Sequence, residues 1–99
     1  MTIQQEIRSW QEITFGEAQT PLSVCHKMEE EIVELESEVY YLDFEAARKE
    51  AADVGILLFG LSEQLGFDLL DAIQEKFIEV KNRKWQQQAD GGFQHVPGS

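Results

Sequence analysis

The stretch from Ala46 to Leu61 constrains the fold most. It places Ala46, Ala47, Val54, Ile56, Leu57, Leu58, Phe59 and Leu61 almost all round a helical axis, with no turn residue pair to break it. A helix apolar on most sides is expected at the centre of a domain, covered by its neighbours. Asp43 stands where an N-cap belongs and Gly66 where a C-cap belongs, so the helix is expected between them. Within it lie Glu50 and Asp53, three residues apart and so on one face, with Leu57 continuing that face. Two like charges on a mostly buried face need compensation by a basic partner, a raised pKa or a cation. Near in sequence there are only Arg48 and Lys49, which makes a cation the economical answer.

The remaining elements follow from the same periodicity. Ile3, Ile7 and Trp10 suggest a short amphipathic helix over Ile3 to Ile13, ended by Phe15-Gly16. Thr20-Pro21 reads as an N-cap followed by proline at the first helical position. It opens a helix to about Tyr40 whose apolar stripe is Val24, Met28, Ile32, Leu35 and Val39. Asp68 can cap a last helix carrying Leu69, Leu70, Ile73, Phe77 and Val80 toward Trp85. Strand signals are absent, and residues 89–99 are expected to form an irregular tail. The expectation is a single domain over residues 1–99, an all-α, four-helix antiparallel bundle completed by dimerisation, because a chain of 99 residues supports only a modest core.

Charge narrows function. With 19 acidic and 8 basic residues the formal net charge is −11, which excludes open binding to a nucleic-acid backbone. No apolar run reaches the roughly 20 residues of a membrane span. The N-terminus lacks the basic start and apolar stretch of a secretion signal, and Cys25 has no partner cysteine, so the cytoplasm is the expected compartment. Cys25-His26 lacks the further ligands of a zinc site, and no Gly-x-x-x-x-Gly-Lys loop is present.

The second helix supplies a matching acid row. Glu31, Glu34 and Glu38 recur at i, i+3, i+7, with Glu31 and Glu38 at the edge of the apolar stripe and Glu34 slightly further out. Two helices presenting Glu31, Glu34, Glu50 and Asp53 to one space offer oxygen donors and no histidine, a set suited to Mg²⁺ or Mn²⁺. Glu38 is a spare candidate ligand. Glu29, Glu36, Glu63, Glu75 and Glu79 read as solvated charge. Trp10, Phe15 and Trp85 could stack on a base or pack in the core or an interface.

Glu30-Glu31-Ile32-Val33-Glu34-Leu35, then Glu50-Ala51-Ala52-Asp53-Val54, then Lys76 and Arg83-Lys84-Trp85, resembles the MazG-like all-α nucleoside triphosphate pyrophosphohydrolases. The stretch from Arg83 through Asp90-Gly91 to His95-Val96 is similar to a subgroup of small phage and bacterial dATP/dGTP pyrophosphohydrolases. The resemblance implies Mg²⁺ on Glu31, Glu34, Glu50 and Asp53, with Mn²⁺ as a substitute. It also implies attack of water on the α-phosphorus of a nucleoside triphosphate, and a homodimer or homotetramer. Glu34 and Glu50 would act in catalysis, Glu34 by orienting or deprotonating the water. Lys76, Arg83 and Lys84 would neutralise phosphates. One departure is Val80, where members of the family usually carry asparagine; Asn82 is nearby on another side of the helix. It keeps open an alternative, a non-catalytic metal- or nucleotide-binding helical oligomer, beside a third reading as a purely structural oligomer.

Overall fold

A computed structural model describes residues 1–98. The element order is α1 (Ile3–Phe15), a 3-10 turn (Gly16–Ala18), α2 (Pro21–Tyr40), α3 (Phe44–Leu65), α4 (Leu69–Lys81), β1 (Trp85–Gln87) and β2 (Phe93–His95). The chain divides into two compact units, Met1–Leu69 and Leu70–Ser99. Among the described residues no helix is long and apolar enough to cross a membrane.

In the first unit, α1 and α2 both pack on α3. Thr2 and Gln5 form a capping box at the start of α1, with the Gln5 amide donating to Thr2 Oγ1 at 3.2 Å and the Thr2 amide donating to Gln5 Oε1 at 2.9 Å. The buried face of α1 is not the expected Ile3, Ile7, Trp10 stripe. Gln4 and Gln11 are the buried residues, while Ile3 and Trp10 are exposed. The reason at Gln4 is hydrogen bonding: Nε2 donates to the Phe67 carbonyl at 2.8 Å, and Oε1 accepts from the Leu69 amide at 3.0 Å. That single side chain satisfies two backbone groups where α3 has ended.

Helix α2 starts as expected, with Thr20 Oγ1 accepting from the Ser23 amide at 3.1 Å and Pro21 at the first position. Its inward row is Val24, Met28, Glu31, Leu35 and Glu38; Ile32 and Val39 of the expected stripe are exposed instead. Its C-terminal end is closed by a Schellman turn, in which the Asp43 amide donates to the Glu38 carbonyl and the Leu42 amide to the Val39 carbonyl. Leu42 takes the left-handed position at φ 59°, where glycine is usual. Asp43 then caps α3, accepting from the Ala46 amide at 3.2 Å. This tight reversal lays α3 back along α2.

Gly66, at φ 84°, ends α3 in the left-handed conformation expected of it. The helix itself is less enclosed than its composition suggests. Ala47, Glu50, Gly60, Leu61 and Ser62 are buried, whereas Ile56 and Leu58 remain exposed. In the first unit its main neighbours are α1 and α2, and an apolar helix covered chiefly by two neighbours keeps an open side.

The second unit holds α4 and an antiparallel hairpin pairing Trp85 with His95, Gln86 with Gln94 and Gln87 with Phe93. The tail expected to be irregular therefore contains a strand. Its turn is local: Gly91 sits at φ 89°, and the Gly92 amide donates to Asp90 Oδ1 at 2.9 Å. Asp-Gly is a hairpin signal because aspartate binds its own backbone and glycine tolerates positive φ.

Candidate metal centre

The reversal at Leu42-Asp43 brings the middle of α2 against the early turns of α3. One carboxylate oxygen each from Glu31, Glu50 and Asp53 lies within 4.8 Å of the others. Burial is graded across the three. Glu50 is only 7 % exposed, the Glu31 side chain 12 %, and Asp53 opens to solvent.

Three carboxylates this close cannot all stay ionised without compensation. The interactions of Glu50 with Glu34 and then Glu31, together with its burial, push its carboxyl up from 4.5 to about 8. Glu31 moves the other way, held below the usual carboxylate range by hydrogen bonding with Glu50 and with Lys27. Lys27 Nζ lies 3.1 Å from Glu31 and 3.5 Å from Glu30. Those carboxylates in turn raise the lysine's own pKa. Glu50 Oε1 is buried and has no hydrogen-bond partner. A buried acceptor of this kind on one of three grouped carboxylates, accompanied by no histidine or cysteine, fits a hard divalent cation with oxygen ligands.

Three of the four expected ligands, Glu31, Glu50 and Asp53, form this group; the fourth, Glu34, is exposed, and its hydrogen bonding with Glu50 is the largest cause of the raised Glu50 pKa. Glu38 also lies outside the three, although its Oε2 is buried without a hydrogen-bond partner. Lys76, Arg83 and Lys84 belong to the second unit. There Lys76 and Arg83 both engage Glu79, at 3.0 and 2.9 Å, and hold its carboxyl below the usual range. Glu79 is exposed, as expected of a solvated charge, and pairs with two cations on the surface of its own unit. Asn82 turns back onto its own helix, donating to the Ile78 carbonyl at 2.9 Å, and the Val80 carbonyl accepts from Trp85 Nε1 at 3.2 Å.

A cavity of about 780 Å³ opens beside the carboxylates within the first unit. Glu31, Asp53 and Lys27 form part of its lining, and Trp10, Gln11 and Phe15 form another part. The Trp10 and Phe15 rings meet edge to face, 5.4 Å between centroids. Lys27 and Gln11 are the residues that sequence reasoning missed. Lys27 carried a signal, its i,i+4 spacing to Glu31. Gln11 carried a fainter one, seven residues from Gln4 and thus on the same face of α1.

No family model matches the chain. A dATP/dGTP diphosphohydrolase of Salmonella phage PMBT28 is 33 % identical over 94 residues, which cover 95 % of this chain and 30 % of that protein. A dATP/dGTP diphosphohydrolase of Cyanophage S-2L is 40 % identical over 50 residues, covering 50 % of this chain and 48 % of that protein. The chain therefore spans about a third and about half of the lengths of these two curated relatives. Among solved structures, the Cyanophage S-2L MazG-like pyrophosphohydrolase bound to dGDP and three catalytic Mn²⁺ ions per active site superposes with a TM-score of 0.79 at 30 % identity, covering 96 % of this chain and 94 % of that one. The chain belongs to the MazG-like pyrophosphohydrolase family. As a MazG-like protein it has the expected mostly helical, four-helix fold, with the small hairpin added. Glu31, Glu50 and Asp53 bring together carboxylate oxygens that could hold a metal ion.

Proposed function

We propose that this MazG-like chain hydrolyses deoxynucleoside triphosphates, purine ones foremost, to the monophosphate and pyrophosphate. The observation that carries this reading is the grouping of Glu31, Glu50 and Asp53, with Glu50 buried and one of its oxygens without a hydrogen-bond partner. The purine preference is drawn from the two diphosphohydrolases and from the dGDP in the S-2L structure.

Glu31, Glu50 and Asp53 would hold Mg²⁺ or Mn²⁺, with Glu34 a fourth ligand or the residue that handles the water. Bound there, the ion would polarise phosphoryl oxygens and lower the pKa of a coordinated water. Glu34, exposed beside Glu50, is the base in this reading: it takes the proton as the water oxygen bonds to the α-phosphorus. The bond from that phosphorus to the bridging oxygen breaks, and pyrophosphate leaves with the electron pair. Lys27, on the cavity lining, supplies positive charge toward the phosphates. Lys76, Arg83 and Lys84 are further candidates for that task, to be tested by substitution.

A homodimer or homotetramer is part of the proposal. Ile32 and Val33 on α2 and Ile56 and Leu58 on α3 are exposed in the single chain, and apolar surface of this kind is commonly covered by a second copy. Light scattering after size-exclusion chromatography tests it, and a monomeric mass at micromolar concentration refutes it.

The activity is tested by incubating the protein with each of the four deoxynucleoside triphosphates plus Mg²⁺ or Mn²⁺ and resolving the products. Monophosphate and pyrophosphate in equal amounts are expected. Release of inorganic phosphate with the diphosphate would contradict attack at the α-phosphorus. Tight metal-dependent nucleotide binding with no product would establish the non-catalytic binding module instead.

A further inference from the structure

Lys27 stands between two carboxylates of its own helix that differ in their surroundings. Its Nζ lies 3.1 Å from Glu31 Oε1, one turn along α2, and 3.5 Å from Glu30 Oε2. Glu31 belongs to the group of three carboxylates, and its side chain is 12 % exposed. Glu30 lies outside that group, with its side chain 70 % exposed. The Lys27 side chain is itself 56 % exposed and shares the cavity lining with Glu31 and Asp53. One carboxylate of the group is thus already held by a cation that the chain carries.

The ammonium and a divalent ion compete for that carboxylate. Mg²⁺ binds carboxylate oxygens at about 2.1 Å, so an ion on Glu31 Oε1 would stand no more than about 5 Å from the ammonium. Like charges at that separation repel, and the ion carries two of them. The ammonium is also free to leave. An ion pair with this much solvent around it holds weakly, and the four-carbon stem of lysine lets the head group swing. We propose that Lys27 is an exchangeable counter-ion: it holds Glu31 while the site is metal-free, is displaced when a divalent cation arrives, and then takes a phosphate oxygen of the bound nucleotide. This exchange rests on the preceding reading that the carboxylates hold a metal ion for nucleotide hydrolysis, and it adds an order of events to that reading. Glu30, outside the group, remains a partner for the displaced ammonium until a phosphate replaces it. Lys27 therefore weakens metal binding and strengthens nucleotide binding. Its removal moves the two affinities in opposite directions. Loss of a side chain that only braced α2 would weaken both, and loss of a plain phosphate ligand would leave metal binding without nucleotide unchanged.

Calorimetric titration of metal-free wild type and Lys27→Met with Mg²⁺ and with Mn²⁺, at pH 8 without nucleotide, tests the first step. Lys27→Met is expected to bind metal about threefold to tenfold more tightly. Titration with the non-hydrolysable α,β-imido analogue of dATP at saturating Mg²⁺ tests the second, and Lys27→Met is expected to bind it about tenfold more weakly. In the wild type, NMR of 15N-labelled lysine ammonium groups follows the displacement itself. The Lys27 signal is identified by its absence from Lys27→Arg, which keeps the charge. It should shift as Mg²⁺ fills the site and shift again when the analogue is added. Metal affinity unchanged or weakened in Lys27→Met, or a Lys27 signal unmoved by saturating Mg²⁺, would overturn the exchange and leave the metal centre intact. Tighter metal binding with unchanged affinity for the analogue would overturn the phosphate step and with it the proposal. Absence of metal binding by the wild type and the variant alike would overturn the preceding reading of the carboxylates, a separate failure.

Discussion

Glu50→Gln tests whether a proton occupies the carboxylate cluster until a metal displaces it. In the metal-free protein Glu50 titrates at about 8, through its interactions with Glu34 and Glu31 and its burial. At pH 7 about ten molecules then hold the proton for each one that has lost it. A cation entering the site must expel that proton. Apparent Mg²⁺ or Mn²⁺ affinity should therefore fall about tenfold for each pH unit below 8 and level off above it. Calorimetric titration with Mn²⁺ in two buffers of different ionisation heat should show roughly one proton released per site at pH 7 and few at pH 9. Glutamine mimics the neutral acid, so Glu50→Gln should bind metal weakly, release no proton and show little pH dependence. The sign for stability follows from the same shift. The fold holds this proton more tightly than the unfolded chain does. Its contribution is thus fully present below the ordinary carboxylate range and is lost as pH rises through about 8. With chelator present, the wild-type Tm should drop between pH 5.5 and 9, and that of Glu50→Gln should drop less. Glu31, held below the usual range, titrates under this window. Metal affinity independent of pH with no proton release, or identical Tm profiles for the two proteins, would refute the reasoning.

Chelation with EDTA should abolish turnover, and added Mg²⁺ or Mn²⁺ should restore it; activity persisting in EDTA would remove the metal from the reaction. Gln4→Leu leaves the Phe67 carbonyl and the Leu69 amide without their partner and should cost about 2–4 kcal/mol in urea unfolding. Leu42→Gly relieves a left-handed residue in the Schellman turn and should stabilise by about 1 kcal/mol in the same assay, whereas a loss would show that the exposed leucine packs usefully.

Much of the architecture was legible because it is local. Thr20-Pro21, Asp43 and Gly66 cap helices where expected, since a side chain reaching three residues along, or a glycine free to take positive φ, acts without help from distant residues. The Asp90-Gly91 hairpin turn is equally local, and its signal stood in the sequence unread. The inward faces were less legible. Hydropathy favoured Ile32 and Val39 on α2 and Ile3 and Trp10 on α1, yet Glu31, Glu38, Gln4 and Gln11 are the residues turned inward there. Which residues face inward depends on what the neighbouring helix offers, as the Phe67 and Leu69 backbone groups do for Gln4.

By itself the sequence determined the helices, their ends, and two carboxylate pairs whose i,i+3 spacing puts each on one helical face. Tertiary structure alone decided which carboxylates meet. The reversal through Leu42 and Asp43 sets how α3 lies along α2, and so it joins Glu31 to Glu50 and Asp53 and brings Glu34 into hydrogen bonding with Glu50. The same docking of helices packed Gln11 against Gly60 and built a cavity against the carboxylates. Spacing along one chain fixes directions within a helix. Distances between helices arise only when their faces pack, and the chemistry of this site depends on those distances.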